Sequence, residues 1–456
     1  MEQTIATAVG GLRKSLGGRI VEPGDDQYDR MRSLLYADLA LRPAAIARVA
    51  NAGDVAAVVR AAAQQSLELA VRSGGHSLAG HSSTEGGVVI DLREMKRLEI
   101  DEAARTAWAE TGLTAAEVTS AAAEHGLAIG FGDAGSVGIG GITLGGGVGF
   151  LTRKYGLTID SLVAAEIVTA DGSIVLTDAE HHPDLFWAIR GGGGNFGVAT
   201  RLKFKLHPLK QIVGGMLFLP ATPDTLAGFV AAAQTAPDEL STIANVMPAP
   251  PMPFVPAEVH GKLVILGILA YAGDAAAGER AVAPFRALAP PIADMVRPMQ
   301  LPGLYPPEDP NYHPAAVART MFVDRIDRGV AETILDTLAA SDASMRVAQL
   351  RVLGGAASRV PADATAYAHR ASKIMVNVAA FYDGVEDRPV RQAWVRDFAA
   401  SLRQSDGGAY SNFLADEGTE RIRAAYPGKT WDRLVAVKRR YDPENLFRRN
   451  QNVAPA

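Results

Sequence analysis

From residue 42 to about residue 208, the pattern of apolar and polar positions switches repeatedly between a helical and a strand period. Upstream, Leu12 and Leu16 predict a short amphipathic helix within the first 35 residues, followed by a strand at residues 19–21. Residues 54–63 carry apolar side chains at helical spacing behind Asp54, an acid in the first turn that favours the helix N-terminus. Residues 67–71 and 86–92 read as strands, 98–101 alternates, and 105–111 continues the sheet. Thr114, with Glu117 three residues later, is a capping-box pair that starts a helix. The pattern changes between residues 208 and 223. Beyond it, strands at 214–219 and 262–271 alternate with helices at 223–236 and 274–287. Proline-rich stretches at 248–253 and 302–314 read as loops. This second region predicts an α+β unit with an antiparallel sheet.

A chain of 456 residues exceeds one ordinary core, so two or three domains are expected. Hydrophobic content of 48% and charged content of 21% describe a globular protein, and a net charge of −5 gives no general attraction to nucleic acid or anionic membrane. With no cysteine, disulfides, thiolate nucleophiles and thiolate metal sites are excluded. Residues 1–5 lack the basic and apolar regions of a signal peptide, and no apolar run reaches the roughly 18 residues that span a bilayer. A cytoplasmic protein with a small-molecule partner, compatible with a homodimer, is the expectation.

Glycine-rich runs interrupt the pattern three times. The first, Val71-Arg72-Ser73-Gly74-Gly75-His76-Ser77-Leu78-Ala79-Gly80-His81, leaves a strand. Its paired glycines let backbone approach a ligand, and an arginine and two serines beside them suit a pyrophosphate. Taken alone, it reads equally as a surface turn with a solvated histidine. Half of residues 132–149 are glycine, too many for a stable helix or strand on propensity alone. The apolar residues interleaved there, Val137, Ile139, Ile142, Leu144 and Val148, argue against a disordered linker and for a glycine-lined wall facing a large anionic ligand. The third run, 190–198, lies between a helix at 183–189 and a strand at 198–204. The spacing G-x-G-x-x-G occurs at Gly130, Gly132, Gly135 and at Gly192, Gly194, Gly197, but neither opens a helix after a strand, as a dinucleotide fingerprint requires. No P-loop, H-E-x-x-H or G-x-S-x-G is present, and neither His181-His182 nor His76 with His81 brings further ligands, so no metal site is expected.

Four motifs carry a resemblance: residues 71–80, residues 138–149 running on to Asp160, residues 184–197, and Tyr441-Asp442-Pro443-Glu444-Asn445-Leu446-Phe447-Arg448-Arg449-Asn450-Gln451-Asn452. On these the chain resembles the FAD-linked oxidases of the vanillyl-alcohol-oxidase type, in their berberine-bridge-enzyme-like branch. Its length and lack of cysteine are most similar to bacterial members. The resemblance implies an α+β fold: a two-part FAD-binding domain of the PCMH type at residues 1–208 (core 38–208), an inserted α+β substrate domain at 209–429 with an antiparallel sheet backed by helices, and a C-terminal segment, 430–456, returning to the FAD-binding domain. It further implies FAD attached covalently at its 8α-methyl through His76, which raises the flavin potential. Many relatives add a cysteinyl link where this chain has Ala134, leaving a single histidine. Cofactor contacts are implied for Val71, Arg72, Ser73, Gly74, Gly75, Ser77 and Gly80. In the second run they are implied for Gly138, Gly140, Gly141, Gly147 and Gly149. Val198 would meet the adenine, and Asn450 and Asn452 would lie near the ring. His81 suits either the ring or the loop exterior. Val137 matches a position beside the flavin where a small side chain accompanies oxygen reactivity.

The chain departs from the family pattern at two phenols. A Tyr-x-Asn-Tyr segment often supplies a general base, and here it reads Tyr410-Ser411-Asn412-Phe413; a second common tyrosine is Val148. These losses weaken sugar oxidation and favour an amine, an apolar small molecule or an aromatic natural-product intermediate. Tyr410 is the remaining phenolic candidate for catalysis, or else a core tyrosine. Gln349 and Arg351 share one face of an alternating strand; they would hydrogen-bond a substrate carbonyl or carboxylate if that face is the flavin's, and would be solvated otherwise. The expected function is an FAD-dependent oxidase that removes hydride from a C–H next to nitrogen or oxygen and passes electrons to O2, giving H2O2. The alternatives are a natural-product tailoring flavoenzyme, by oxidative cyclisation or oxygenation, and a non-catalytic flavin-binding protein.

Overall fold

The computed structural model describes residues 9–13, 16, 19–36, 39–307, 309, 311–404 and 407–456; the reading of residues 1–5 lies outside them. Four strands form a first sheet in the order Ile20–Val21, Ala45–Arg48, Val88–Asp91, Leu69–Arg72. The last three run parallel and the first antiparallel. The helix Ala52–Gln64 is the crossover between Ala45–Arg48 and Leu69–Arg72, which run parallel on either side of Val88–Asp91, and its N-terminus is capped by the Asn51 side chain accepting from the Asp54 N–H. Val88–Asp91 is buried on both faces, as a central parallel strand must be. The first glycine run leaves the C-terminal end of Leu69–Arg72, the end of a parallel sheet at which ligands bind.

A five-stranded antiparallel sheet follows, ordered Leu98–Asp101, Thr106–Glu110, Val198–Lys205, Leu162–Val168, Ile174–Asp178. Between its strands the helix Ala115–Glu124 starts at the expected capping box, with the Thr114 hydroxyl and the Glu117 carboxylate each accepting the other's backbone N–H. The second glycine run departs from the composition argument: residues Ile139–Leu144 form a short helix. Tertiary burial overrides propensity here, because Ile139 and Leu144 drop into a core with Leu113, Ala115 and Phe131.

The third sheet is antiparallel, ordered Ala293–Asp294, Ile212–Pro220, Leu263–Tyr271, Leu240–Pro248, Arg346–Val352, Ile374–Tyr382, Ala315–Val323, with Arg297–Met299 beside Ile212–Pro220. Helices Pro223–Thr235, Ala275–Arg286, Arg328–Ala340 and Arg388–Ser401 bury Leu226, Phe285, Ile334 and Phe398 against one face. The other face is left to the site. This is the expected α+β architecture of an antiparallel sheet backed by helices. Ala409, Leu414 and Tyr426 already pack into the core around Phe131 and Phe204, together with Leu434 and Val437 of the helix Lys429–Tyr441. Leu446 and Phe447 then reach the core of the first sheet. No helix of the described residues is long and apolar enough to cross a membrane.

Candidate active site

The first and second glycine runs cross backbone to backbone. A Cβ on Gly74 would stand 2.2 Å from the Gly138 nitrogen, and one on Gly138 would stand 2.1 Å from the Gly74 nitrogen. Only glycine permits this approach. Ser73 pins the crossing, its hydroxyl donating to the Thr111 carbonyl at 2.5 Å and accepting from the Gly140 N–H at 3.3 Å. The N–H groups of Gly74, Gly75 and Ser77 find no acceptor among the described residues, which leaves a bare row of donors suited to an anion.

Arg72 corrects the sequence expectation. Its side chain points away from the loop and is 1% exposed, donating to the carbonyls of Met31, Arg32 and Ser82. Three carbonyls consume the guanidinium, so it fixes the loop from behind and places no cation among the bare N–H groups. Gly80, at φ +71°, also stands behind, its carbonyl accepting from Arg449 at 3.1 Å.

These loops border a cavity of about 540 Å³. Val71, Ser73, Gly74, Gly75, His76, Ser77 and His81 line it from the first run. Asp133, Ala134, Val137, Gly138, Gly140 and Gly141 line it from the second, and Gly197 and Val198 from the third. His76 Nε2 lies 2.9 Å from the Ser136 hydroxyl. His81, left open between two orientations, faces the cavity; burial, then the charge of Arg449, pushes its ring down to about 4, so it is neutral at pH 7. Gly147 and Gly149 are set back, their N–H groups donating to the Tyr410 hydroxyl and the Thr152 hydroxyl.

The C-terminal segment closes one end. Asn450 and Gln451 line the cavity, whereas Asn452 does not. Asn450 donates to the Phe447 carbonyl at 2.9 Å, and its Oδ1 is buried with no partner among the described residues. The segment is fixed by Lys438, fully buried, whose ammonium donates to Asp442 and to the carbonyls of Asn195 and Phe447.

The sheet face opposite the glycine loops is the one that carries Gln349 and Arg351. Strand alternation sends Ala348, Leu350 and Val352 into the core against the helices and leaves Val347, Gln349 and Arg351 on the cavity. Asn245, Gln349 and Asn377 stand in register across three strands. The Gln349 amide donates to Asn245 Oδ1 at 2.9 Å and accepts from Arg351 at 2.8 and 3.0 Å. Arg351 also donates to Asp133 at 2.6 Å, so this ion pair joins the sheet to the second glycine run. Tyr410 borders the cavity, but its hydroxyl accepts from the N–H groups of Gly147 and Val148 and from Asn412 Nδ2 at 2.9 to 3.3 Å. Burial pushes its phenol up. Val148 and Phe413 occupy the cavity wall where phenols were missed in the sequence.

Asp133, Ser136, Asn377 and Arg449 were not singled out by sequence reasoning. Asn377 left a signal, being the one polar side chain before the final tyrosine of the strand Ile374–Tyr382. Asp133 left another, as the one charged side chain of residues 132–149. No group of three histidine, aspartate or glutamate side chains is placed to hold a metal ion among the described residues.

Residues 43–178 match the family described as an FAD binding domain, and residues 409–454 the family described as berberine and berberine like. (R)-6-Hydroxynicotine oxidase of Paenarthrobacter nicotinovorans is 31% identical over 460 residues, covering 97% of this chain and 97% of the relative. Xylooligosaccharide oxidase of Thermothelomyces thermophilus is 29% identical over 455 residues, covering 91% and 88%. The crystal structure of 6-hydroxy-D-nicotine oxidase from Arthrobacter nicotinovorans matches with a TM-score of 0.83 at 28% identity, covering 96% of this chain and 98% of that one. End-to-end similarity at this identity, with family matches spanning the two crossed glycine runs and the C-terminal segment, means that the chain belongs to the berberine-bridge-enzyme-like family of FAD-linked oxidoreductases.

Proposed function

We propose that the protein is an FAD-dependent oxidase that takes hydride from a C–H next to nitrogen or oxygen of a small organic substrate and uses O2 as the electron acceptor, with H2O2 as the product. The flavin is tethered through His76 alone. The observation that carries this reading is one cavity bordered on one side by the crossed glycine loops with His76, and on the other by the polar face of the third sheet. FAD supplies the hydride-accepting and oxygen-reducing chemistry; the chain supplies binding, orientation and a dry pocket. The bare N–H groups of Gly74, Gly75 and Ser77 hold the pyrophosphate. Ser136 orients the His76 ring through its hydrogen bond, and Ala134 offers no thiol for a second tether. Val137 leaves space for O2, while Ala316, Ala318, Ala379, Phe381 and Phe413 keep water off the reacting C–H.

Tyr410 is a brace for the second glycine run rather than a base, since its oxygen is occupied by three N–H donors and its proton is held by burial. Residues 1–208 and 430–456 form the flavin-binding part, joined by 409–426 through Ala409, Leu414 and Tyr426, and the rest of 209–429 forms the substrate part. The purified protein is expected to be yellow and to keep its flavin on the polypeptide after acid denaturation. His76→Ala should release any bound flavin into the supernatant, and the wild type should form peroxide as substrate is consumed. Colour freed by acid from the wild type sinks the tether, and substrate oxidation without peroxide sinks the oxidase assignment.

A further inference from the structure

Arg351 lines the cavity, and its guanidinium is held on three sides with one nitrogen left without a partner among the described residues. It is 4% exposed, its Nε and Nη2 donate to Gln349 Oε1, and Nη2 also donates to Asp133 Oδ2. The Phe413 ring lies 5.3 Å from the guanidinium carbon. Nη1 is buried and has no partner among the described residues. A guanidinium always keeps its protons, so Nη1 carries N–H donors aimed from a rigid fork with nothing to receive them. Leaving such donors buried and unsatisfied is costly, and a ligand that supplies an acceptor removes the cost.

Charge narrows the ligand. Asp133 is the one acid lining the cavity among the described residues, and it is already paired with Arg351. A substrate carboxylate at Nη1 would share a single buried cation with Asp133, which like-charge repulsion disfavours. A cationic amine would find no unpaired carboxylate there and would meet Arg351 itself. Arg449, another cation on the wall, is committed to the carbonyls of Gly80 and Ser83. Beyond Gln349 and Asn377, the sheet face offers a sugar only Ala316, Ala318, Val347, Ala379 and Phe381, so most of the hydroxyls of a sugar would lie against apolar side chains. A neutral carbonyl oxygen takes a charge-assisted hydrogen bond from Nη1 and adds no net charge.

We propose that Arg351 Nη1 anchors a carbonyl oxygen of the substrate, and that the substrate is a small, uncharged, largely apolar carbonyl compound (a ketone, ester or amide) that also carries the C–H next to nitrogen or oxygen. Asp133 and Gln349 are positioning residues that fix the guanidinium and, in the case of Asp133, cancel its charge. The assignment rests on the cavity being the flavin and substrate site proposed above.

Benzamide, benzoate and benzylammonium share one ring and differ in charge. Binding of each to the holoenzyme, followed by calorimetry and by the shift of flavin absorbance, requires no turnover. Benzamide should bind, benzoate about tenfold more weakly or worse, and benzylammonium more weakly still. Arg351→Leu should lower benzamide affinity by about tenfold or more. Asp133→Asn leaves the cation uncompensated and should reverse the order, so that benzoate binds more tightly than benzamide; a merely structural Asp133 would give no such reversal. The proposal is overturned if benzamide does not bind, if the wild type prefers either charged probe, or if Arg351→Leu retains full benzamide affinity. Should Arg351→Leu fail to fold, the Asp133→Asn order decides alone, and an unchanged order overturns the proposal. Flavin released by acid, or oxidation without peroxide, would strike the tethered-oxidase reading and leave this ligand preference standing.

Discussion

His207 shows how one side chain can set a pH dependence far from the chemistry. Its ring stacks on Tyr155 with centroids 4.0 Å apart, and its Nε2 meets the Ser161 hydroxyl at 3.0 Å. Burial first, then the charges of Lys205 and Lys154, pushes it from 6.5 down to about 4. Between those values the unfolded chain binds a proton that the folded protein refuses. Stability from this group is therefore complete above pH 6.5 and is lost as pH falls toward 4. His81 acts in the same direction over the same window. His207→Phe keeps the stack but cannot titrate. Its unfolding midpoint should fall less steeply than that of the wild type between pH 6.5 and 4, with about 1–3 kcal/mol of pH-dependent loss removed. Thermal unfolding across that range measures it; parallel slopes for the two proteins would contradict the assignment.

Elements matter here through their ends and crossings. The helix Ala115–Glu124 is capped by Thr114, three residues after the Thr111 carbonyl that pins Ser73, and the backbone of Thr114 bridges Gly138. Its capping box therefore supports the crossing of the two glycine runs as well as its own first turn. Thr114→Ala should cost about 1 kcal/mol of stability, read as a lower urea midpoint with an unchanged slope. It should also raise the exchange rate of the Ala115 and Ala116 amides, which donate to the carbonyls of Val137 and Gly135 in the second run. Loss of stability with those amides still protected would confine the cap to its own helix. Composition misjudged the same region. Nine of the eighteen residues at 132–149 are glycine, yet Ile139–Leu144 is helical because its two buried ends dock into a core built by distant strands.

At the scale of the whole molecule, two arginines join the glycine-run part to the third sheet. Arg153 donates to the carbonyls of Leu353 and Ala236, and Arg370 grips Asp160 through Nη1 and Nη2 at 2.7 and 2.8 Å. The Arg370 pair is buried on both sides, at 2% and 11% exposure, so its energetic weight lies in what remains when one partner is removed. Arg370→Met should destabilise by about 3–5 kcal/mol in denaturant unfolding, and Asp160→Leu/Arg370→Met should recover part of that loss by removing the stranded carboxylate. A double variant no more stable than the single one would show that the attraction itself, rather than the unpaired charge, was lost.

Local periodicity made most elements legible: the strands at Val88–Asp91 and Leu98–Asp101, the helix at Ala52–Gln64 and the Thr114–Glu117 cap are where the pattern puts them. The α+β class and the FAD-binding resemblance were also legible, because close backbone approach requires glycine at fixed positions whatever the surroundings. Side-chain direction was not. Arg72 read as a phosphate cation and turned out to be spent on three carbonyls of residues 31, 32 and 82. Gln349 and Arg351 could be assigned to one face from alternation alone, yet which face met the cavity depended on where four helices covered the sheet. The pairing of Arg351 with Asp133, 218 residues away in the chain, follows from no local rule. The sequence by itself determined most of the elements and the glycine loops, since these depend on backbone sterics and periodic burial, and its resemblance to a family implied the cofactor class. Only the tertiary structure decided which charges are spent, which donors remain open and what the cavity can recognise, because those depend on partners that folding brings together.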